Sequence, residues 1–325
     1  MNRPRPGLFF VAPACALLAA CAVLRNPYAA TNRSYRQQVK AYARALRATP
    51  GPTPGTDSLP LGKYWVGTTN FNLRKPNYVV IHHTAQDSTG QTLRTFTLPS
   101  TQVSAHYVIG RDGRVYHLLS DYLRAWHGGA ARWGNTTDLN SCSIGIELDN
   151  NGAEPFAEAQ TASLLKVLAG LKKAYGIPAA NFIGHADIAP ARKTDPSALF
   201  PWKLLAANGF GLWYDAGPLP SPPGAAPAAP DSSAAQVSVL ANPPAWPAGA
   251  APALPDTTAV DAQLMRLNRT APFDPREPLR IIGYDTRDLP AAIRAFKLHF
   301  IQRDVNAPLS EADNRILYNL YQKYL

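Results

Sequence analysis

Cysteine is nearly absent from this chain, with 3 in 325 residues, which excludes a disulfide-built scaffold and any zinc finger assembled from cysteine. A metal site would have to draw on the 7 His and the carboxylates. Acidic residues are also in the minority. Asp and Glu number 22 against 32 Lys and Arg, and the resulting net charge of +10 favours acidic partners: polyanionic cell-surface polymers, membrane surfaces or nucleic acid. No apolar run is long enough to cross a bilayer as a helix, no repeat of solenoid length recurs, and no Gly-x-Ser-x-Gly elbow marks a serine nucleophile. What the chain does have is apolar and aromatic substance. Hydrophobic residues make up 46%, with 6 Trp, 14 Tyr and 11 Phe, so it is not disordered throughout. Its length is a prior for about two domains at ~150 residues each.

The beginning of the chain reads as an export signal. Arg3 and Arg5 precede an apolar stretch, Leu8 to Ala20, of the length of a secretory leader core. Leu18-Ala19-Ala20-Cys21 follows and resembles the lipobox of bacterial lipoproteins, in which the leader (residues 1–20) is removed and Cys21 is acylated. The alternative is an ordinary leader cut near Ala20. Cleavage removes Arg3 and Arg5 and no acid, so the charge falls from +10 to +8. Ala22 after the Cys lacks the Asp that holds the resembling lipoproteins at the inner membrane, which points to the periplasmic face of the outer membrane.

Residues 21–60 then read as a tether. Tyr35, Val39, Tyr42 and Leu46 recur at spacings of four and three, with Arg36, Lys40, Arg44 and Arg47 on another face, which predicts an amphipathic helix over 34–49. Its basic face could rest on acidic lipid or polymer, or could be a solvated face of a packed helix. A second joint lies at 218–256; between Pro218 and Pro255 it holds 11 of the 31 Pro with Asp231 as the only charge, a composition suited to an extended linker.

Residues 61–217 alternate strand and helix patterns, predicting an α/β domain with a mixed sheet. Asn77 to His83 is β-branched and apolar until it ends in two histidines, as a buried strand does on reaching a cleft. Two strands flank Gly110-Arg111-Asp112-Gly113, a hairpin signal. Ser143 to Leu148 alternates, placing Ile144, Ile146 and Leu148 on one face and Ser143, Gly145 and Glu147 on the other, with Gly145 leaving room beside the carboxylate. Phe156 to Tyr175 is a helix stopped by Gly176 and Pro178. The loop from Gly184 to Pro196 is rich in ligand-type side chains. His82, His185 and Asp195 would supply the three protein ligands of a catalytic zinc, Glu147 a base and Lys193 a cation for a developing oxyanion. Dispersed His and Asp alone form a weak pattern.

Five ordered blocks add a resemblance. Val-Ile-His-His-Thr-Ala (80–85), Ser-Ala-His-Tyr-Val-Ile (104–109), Ala-Trp-His-Gly-Gly (125–129), Ser-Ile-Gly-Ile-Glu-Leu (143–148) and His-Ala-Asp-Ile-Ala-Pro-Ala-Arg-Lys-Thr-Asp-Pro (185–196) are similar to the zinc-dependent N-acetylmuramoyl-L-alanine amidases of the amidase 2 type. The resemblance covers about Asn70 to Asp215. It implies a central mixed sheet flanked by helices, one Zn2+ on His82, His185 and Asp195, Glu147 as general base and Lys193 as oxyanion stabiliser. The implied reaction cuts the amide between the lactyl group of N-acetylmuramic acid and the L-alanine of peptidoglycan stem peptides. His83 stands where the family has an aromatic, and strand alternation assigns it a supporting role. Trp126 and His127 are candidates for lining the substrate groove, with core packing as the alternative, and Arg192 for meeting a stem-peptide carboxylate. Asp187 would either orient a ligand or cap local backbone.

Residues 257–325 carry helical spacings at Val260, Leu264 and Leu267 and again towards the C-terminus, with a Ser310/Asp313 capping box. Gly283-Tyr284-Asp285 followed by Ala292 to Phe296 resembles the small helical peptidoglycan-binding domain that accompanies such amidases, so a separate all-α module is expected, although Pro275 and Pro278 interrupt its start. The predicted partners are thus peptidoglycan or muropeptides and, through a lipid anchor, a membrane. A nucleic-acid binder lacks any recognition motif and conflicts with the export signal. A lipoprotein that binds peptidoglycan without cutting it is the rival reading, and it would need no complete set of ligands, base and cation.

Overall fold

The computed structural model describes residues 26–48, 66–223 and 273–325. The leader, Cys21, most of the Pro-rich linker and the Val260–Leu267 pattern lie outside the described residues. The chain divides into two units, Met1–Phe71 and Asn72–Leu325. The described part of the first contains helix α1 (Ala29–Arg47), starting five residues before the pattern predicts, and no residue of α1 is buried.

The second unit is built on a five-stranded mixed sheet in the order β3-β2-β4-β1-β5. Its strands are β1 (Tyr78–His83), β2 (Tyr107–Ile109), β3 (Val115–His117), β4 (Ser143–Leu148) and β5 (Phe182–Gly184). β4 and β5 flank β1 in parallel, β2 runs parallel to β4, and β3 closes the edge as the antiparallel partner of β2. The predicted hairpin is present: Gly113 adopts φ +78°, a conformation that favours glycine, and Gly110 N–H donates to the Arg114 carbonyl at 2.9 Å.

Strand alternation splits the sheet's side chains between two layers. Val79 and Ile81 of β1, with Ile144, Ile146 and Leu148 of β4 and Phe182 of β5, pack against Leu164, Leu168 and Leu171 of α4 (Glu158–Tyr175) and against Trp202 and Leu205 of α6 (Trp202–Ala207). Smaller helices are α2 (Thr89–Thr97), α3 (Leu139–Cys142) and α5 (His185–Ile188).

The opposite face changes the expected domain plan. Val80 and Ile183, with Trp133, Leu139 and Ile188, share one core with the C-terminal helices α7 (Arg276–Ile282), α8 (Leu289–Phe296) and α9 (Glu311–Tyr324) through Leu279, Ile282, Ala292, Ala295, Phe296, Leu317 and Leu320. The described C-terminal residues are therefore not a separate module beyond a spacer; they are the second helical layer over the sheet. The physical reason is that a largely parallel sheet needs both faces covered, and α4 and α6 cover only one. Pro275 sits at the N-cap of α7 and Pro278 in its first turn, where a missing N–H costs nothing, so the prolines start this helix. The Ser310/Asp313 capping box opens α9 as predicted: Asp313 N–H donates to Ser310 Oγ at 3.2 Å, and Ser310 N–H to Asp313 Oδ2 at 3.0 Å.

Candidate active site

The three expected ligands meet at the carboxyl ends of β1 and β5, the usual place for a site in a parallel sheet. His82 lies near the end of β1, and His185 follows β5 directly as the first residue of α5. Ala186 N–H donates to the Asp195 backbone carbonyl at 2.7 Å, folding the loop back so that Asp195 returns beside His185. His82 Nδ1 is 2.9 Å from His185 Nδ1 and 3.2 Å from Asp195 Oδ2, and His185 Nδ1 is 3.0 Å from that same oxygen. Both histidines are buried and Asp195 nearly so.

Hydrogen-bond accounting fixes which atoms carry protons. Ser143 Oγ is 2.5 Å from the Leu139 carbonyl, and only the hydroxyl has a proton to place between them. Ser143 therefore accepts from His127 Nε2–H at 3.2 Å, which leaves His127 Nδ1 to accept from His82 Nε2–H at 3.1 Å. Burial, reinforced by the neighbouring imidazole of His82, pushes the His127 pKa well below its ordinary value and keeps the ring neutral. On the other ligand, His185 Nε2–H donates to the Gly128 carbonyl at 3.2 Å. Both rings thus turn an Nδ1 lone pair towards the Asp195 carboxylate.

Three lone-pair atoms within 3.2 Å of one another repel unless a cation lies among them. Ligands on a tetrahedral zinc at ~2.0–2.1 Å stand roughly 3.3 Å apart, close to these separations. Two imidazoles and one carboxylate are also a catalytic-type donor set, and the hydrogen bonds behind them are those that orient ligating histidines. The residues fit zinc. Burial pushes the His82 pKa down to about 4, with the nearby His185 adding to it.

Glu147 is opposite His82 in the β1–β4 register, its Oε1 3.9 Å from His82 Nδ1. Burial, with the Asp195 charge beside it, pushes its pKa up to about 8, while the Lys193 ammonium pulls the other way. Glu147 and Lys193 line the same cleft of about 430 Å³, with Thr92, Thr95 and Phe96 of α2 on its wall. Trp126, 53% exposed, lines it too.

One expected substrate contact is corrected. His127 borders the cleft, but the residue is only 8% exposed, and its ring bonds Ser143 and His82. The room left by Gly145 is taken by this ring: a Cβ there would come within 2.5 Å of His127 Cγ. Arg192 lines the cleft and remains a candidate for substrate contact; its Nη2 also donates to the Gly128 and Ala130 carbonyls at 2.8 and 2.9 Å, so the Gly128 carbonyl accepts from both His185 and Arg192. Arg192 first braces the segment that orients His185. His83 Nδ1 accepts from Ser197 N–H at 3.1 Å, the supporting role expected of it.

Asp187 takes the capping role of the two considered for it, and it bonds none of the three ligand side chains. Its carboxylate accepts from Gly184 N–H at 2.7 Å, capping α5, and from Tyr284 O–H at 2.8 Å, and it pairs with His299 Nδ1 at 2.7 Å. Sequence reasoning missed Ser143, the Gly128 carbonyl and the wall of α2. Of these only Ser143 left a trace, as a polar residue on the Glu147 face of β4.

Residues 72–198 match the family model of N-acetylmuramoyl-L-alanine amidase, Amidase_2. The chain is 39% identical over 154 residues to the N-acetylmuramoyl-L-alanine amidase AmiD of Escherichia coli, a match spanning 42% of this chain and 55% of that protein. It is 41% identical over 101 residues to the 1,6-anhydro-N-acetylmuramyl-L-alanine amidase AmpD of Escherichia coli, spanning 31% of this chain and 55% of that protein. The chain thus spans about half the length of the curated relatives it matches. Among solved structures, E. coli AmiD in complex with anhydro-N-acetylmuramic acid-L-Ala-D-gamma-Glu-L-Lys superposes with a TM-score of 0.57 at 28% identity, over 79% of this chain and 93% of that one. AmpDh3 of Pseudomonas aeruginosa shares the fold at a TM-score of 0.57 and 24% identity, over 81% of this chain and 97% of that one. Residues 72–198 of this chain are a domain of the N-acetylmuramoyl-L-alanine amidase family, Amidase_2.

Proposed function

We propose that the chain is a zinc-dependent amidase of cell-wall turnover that hydrolyses the bond between the lactyl group of N-acetylmuramic acid and the L-alanine of peptidoglycan stem peptides. The observation that carries this reading is the convergence of His82, His185 and Asp195 beside Glu147 and Lys193 in one cleft. Held by those three ligands, zinc would supply Lewis acidity for the scissile carbonyl and for the attacking water. Glu147 takes the proton of that water and passes it to the leaving amine, a task suited to a carboxyl whose pKa burial has raised towards neutral pH. Lys193 stabilises the negative charge that builds on the carbonyl oxygen. His127 and the Gly128 carbonyl hold the ligand rings in the tautomer that ligation requires. Trp126 offers an exposed ring on which a sugar or peptide face can pack. The ligand named for the E. coli AmiD complex supports muropeptides as the substrate class.

The proposal includes acylation at Cys21 and residence at the outer membrane, which rest on the lipobox-like Leu18–Cys21. It also keeps a wall-contact role for the outward surface of α7–α9. Replacing Glu147 by Gln should lower muropeptide turnover by at least ~10²-fold while bound zinc stays at one per chain. Turnover near the wild-type rate with zinc retained would remove Glu147 from the mechanism.

A further inference from the structure

Among the described residues of its own unit, nothing packs on a face of α1. None of its 19 residues is buried, and Tyr42 and Leu46 are 55% and 82% exposed. Amphipathic helices draw most of their stability from a surface that covers the apolar side, so α1 calls for one. At about 100° per residue, Tyr35, Val39, Tyr42 and Leu46 fall within an arc of about 60°. Arg33, Arg36, Lys40, Arg44 and Arg47 occupy a second arc of about 80°. α1 has no Asp or Glu to offset these five cations.

We infer that α1 lies along an anionic phospholipid surface, with the Tyr35–Leu46 stripe set into the headgroup–acyl boundary and the cations over lipid phosphates. An acidic wall polymer would satisfy the charges, but it has no apolar layer for the stripe. Tyrosine, apolar in its ring and polar at its tip, suits that boundary. Cys21 precedes Ala29 by eight residues, a span of at most ~28 Å when extended, so an anchor there would deliver α1 to the bilayer. The inference does not depend on amidase activity.

The test uses the chain from Ala22 to Leu325, which keeps both described units and carries no leader or acyl group. Its sedimentation with vesicles of phosphatidylglycerol in phosphatidylcholine is compared with that on phosphatidylcholine alone, at low and high salt. Binding should require phosphatidylglycerol and weaken with salt. Arg36→Gln/Lys40→Gln/Arg44→Gln should weaken it about a hundredfold, at roughly fivefold per cation, and Tyr42→Ser/Leu46→Ser at least about tenfold. Both variants should keep the parent's thermal midpoint and muropeptide cleavage, which separates lost lipid binding from misfolding and from failure of the proposed activity. Equal binding to both vesicles, binding indifferent to the Ser pair, or tighter binding to purified peptidoglycan than to the anionic vesicles would overturn the inference.

Discussion

At the residue scale, the chemistry of the site depends on which nitrogens hold protons. The order runs from the Leu139 carbonyl through Ser143 and His127 to His82, and each step is fixed by the one behind it. His127→Ala removes the acceptor for His82 Nε2–H, and zinc affinity should fall 10- to 100-fold in a competition titration with a chelating dye. Unchanged affinity would mean that the tautomer of His82 is set elsewhere. His106 tests the electrostatics away from the ligands. Its Nδ1 accepts from Gly145 N–H at 3.0 Å and its Nε2 donates to the Leu123 carbonyl at 3.0 Å. Burial lowers its pKa to about 4, with the charge of Arg74 helping and the Leu123 hydrogen bond opposing. Between about pH 6.5 and 4 the unfolded chain binds a proton there that the folded chain does not, so stability is lost as pH falls through that window. The loss attributable to His106 is at most about 1.4 kcal/mol per pH unit, and His106→Gln should flatten the urea midpoint against pH in that range. An unchanged slope would contradict it.

At the scale of elements, β1, β4, the hairpin, α4 and the α9 cap were legible in the sequence because local rules decide them: alternation, a left-handed glycine turn, a Gly-Pro stop, a capping box. Glu147 and His82 were legible for a related reason, since alternation on two strands settles which side chains share a face, whereas His185 and Asp195 stood out only as ligand-type side chains in the 184–196 loop and through the family resemblance. The packing of α7–α9 was not. Periodicity gives the C-terminal helices apolar faces, but it does not say whether those faces meet each other or the bare side of a distant sheet. His127 was misread likewise, because a His after a surface Trp carries no mark of the glycine on β4 that makes room for it. The contact between the C-terminal helices and the ligand loop is testable at Tyr284. Tyr284→Phe strips Asp187 Oδ1 of its O–H donor in a buried setting, which should cost about 1–3 kcal/mol in urea unfolding. A change within experimental error would show that α7 and α8 are not coupled to α5 through this carboxylate.

At the scale of the whole molecule, the fold places one cleft at the carboxyl ends of a sheet covered on both faces. α4 and α6 lie behind one face and α7–α9 behind the other, so the loop carrying His185, Lys193 and Asp195 is backed by residues from both parts of the described unit. The excess of basic residues suits a protein that works among acidic polymers and lipids. Among the described residues no helix is long and apolar enough to cross a membrane. The most direct measurement is digestion of purified peptidoglycan with and without a chelator, with products read by mass. The account predicts free stem peptides beginning with L-alanine, lost on chelation and restored by zinc. Peptidoglycan bound but left uncut with zinc supplied would contradict it and make the protein a binder of peptidoglycan that does not cut it.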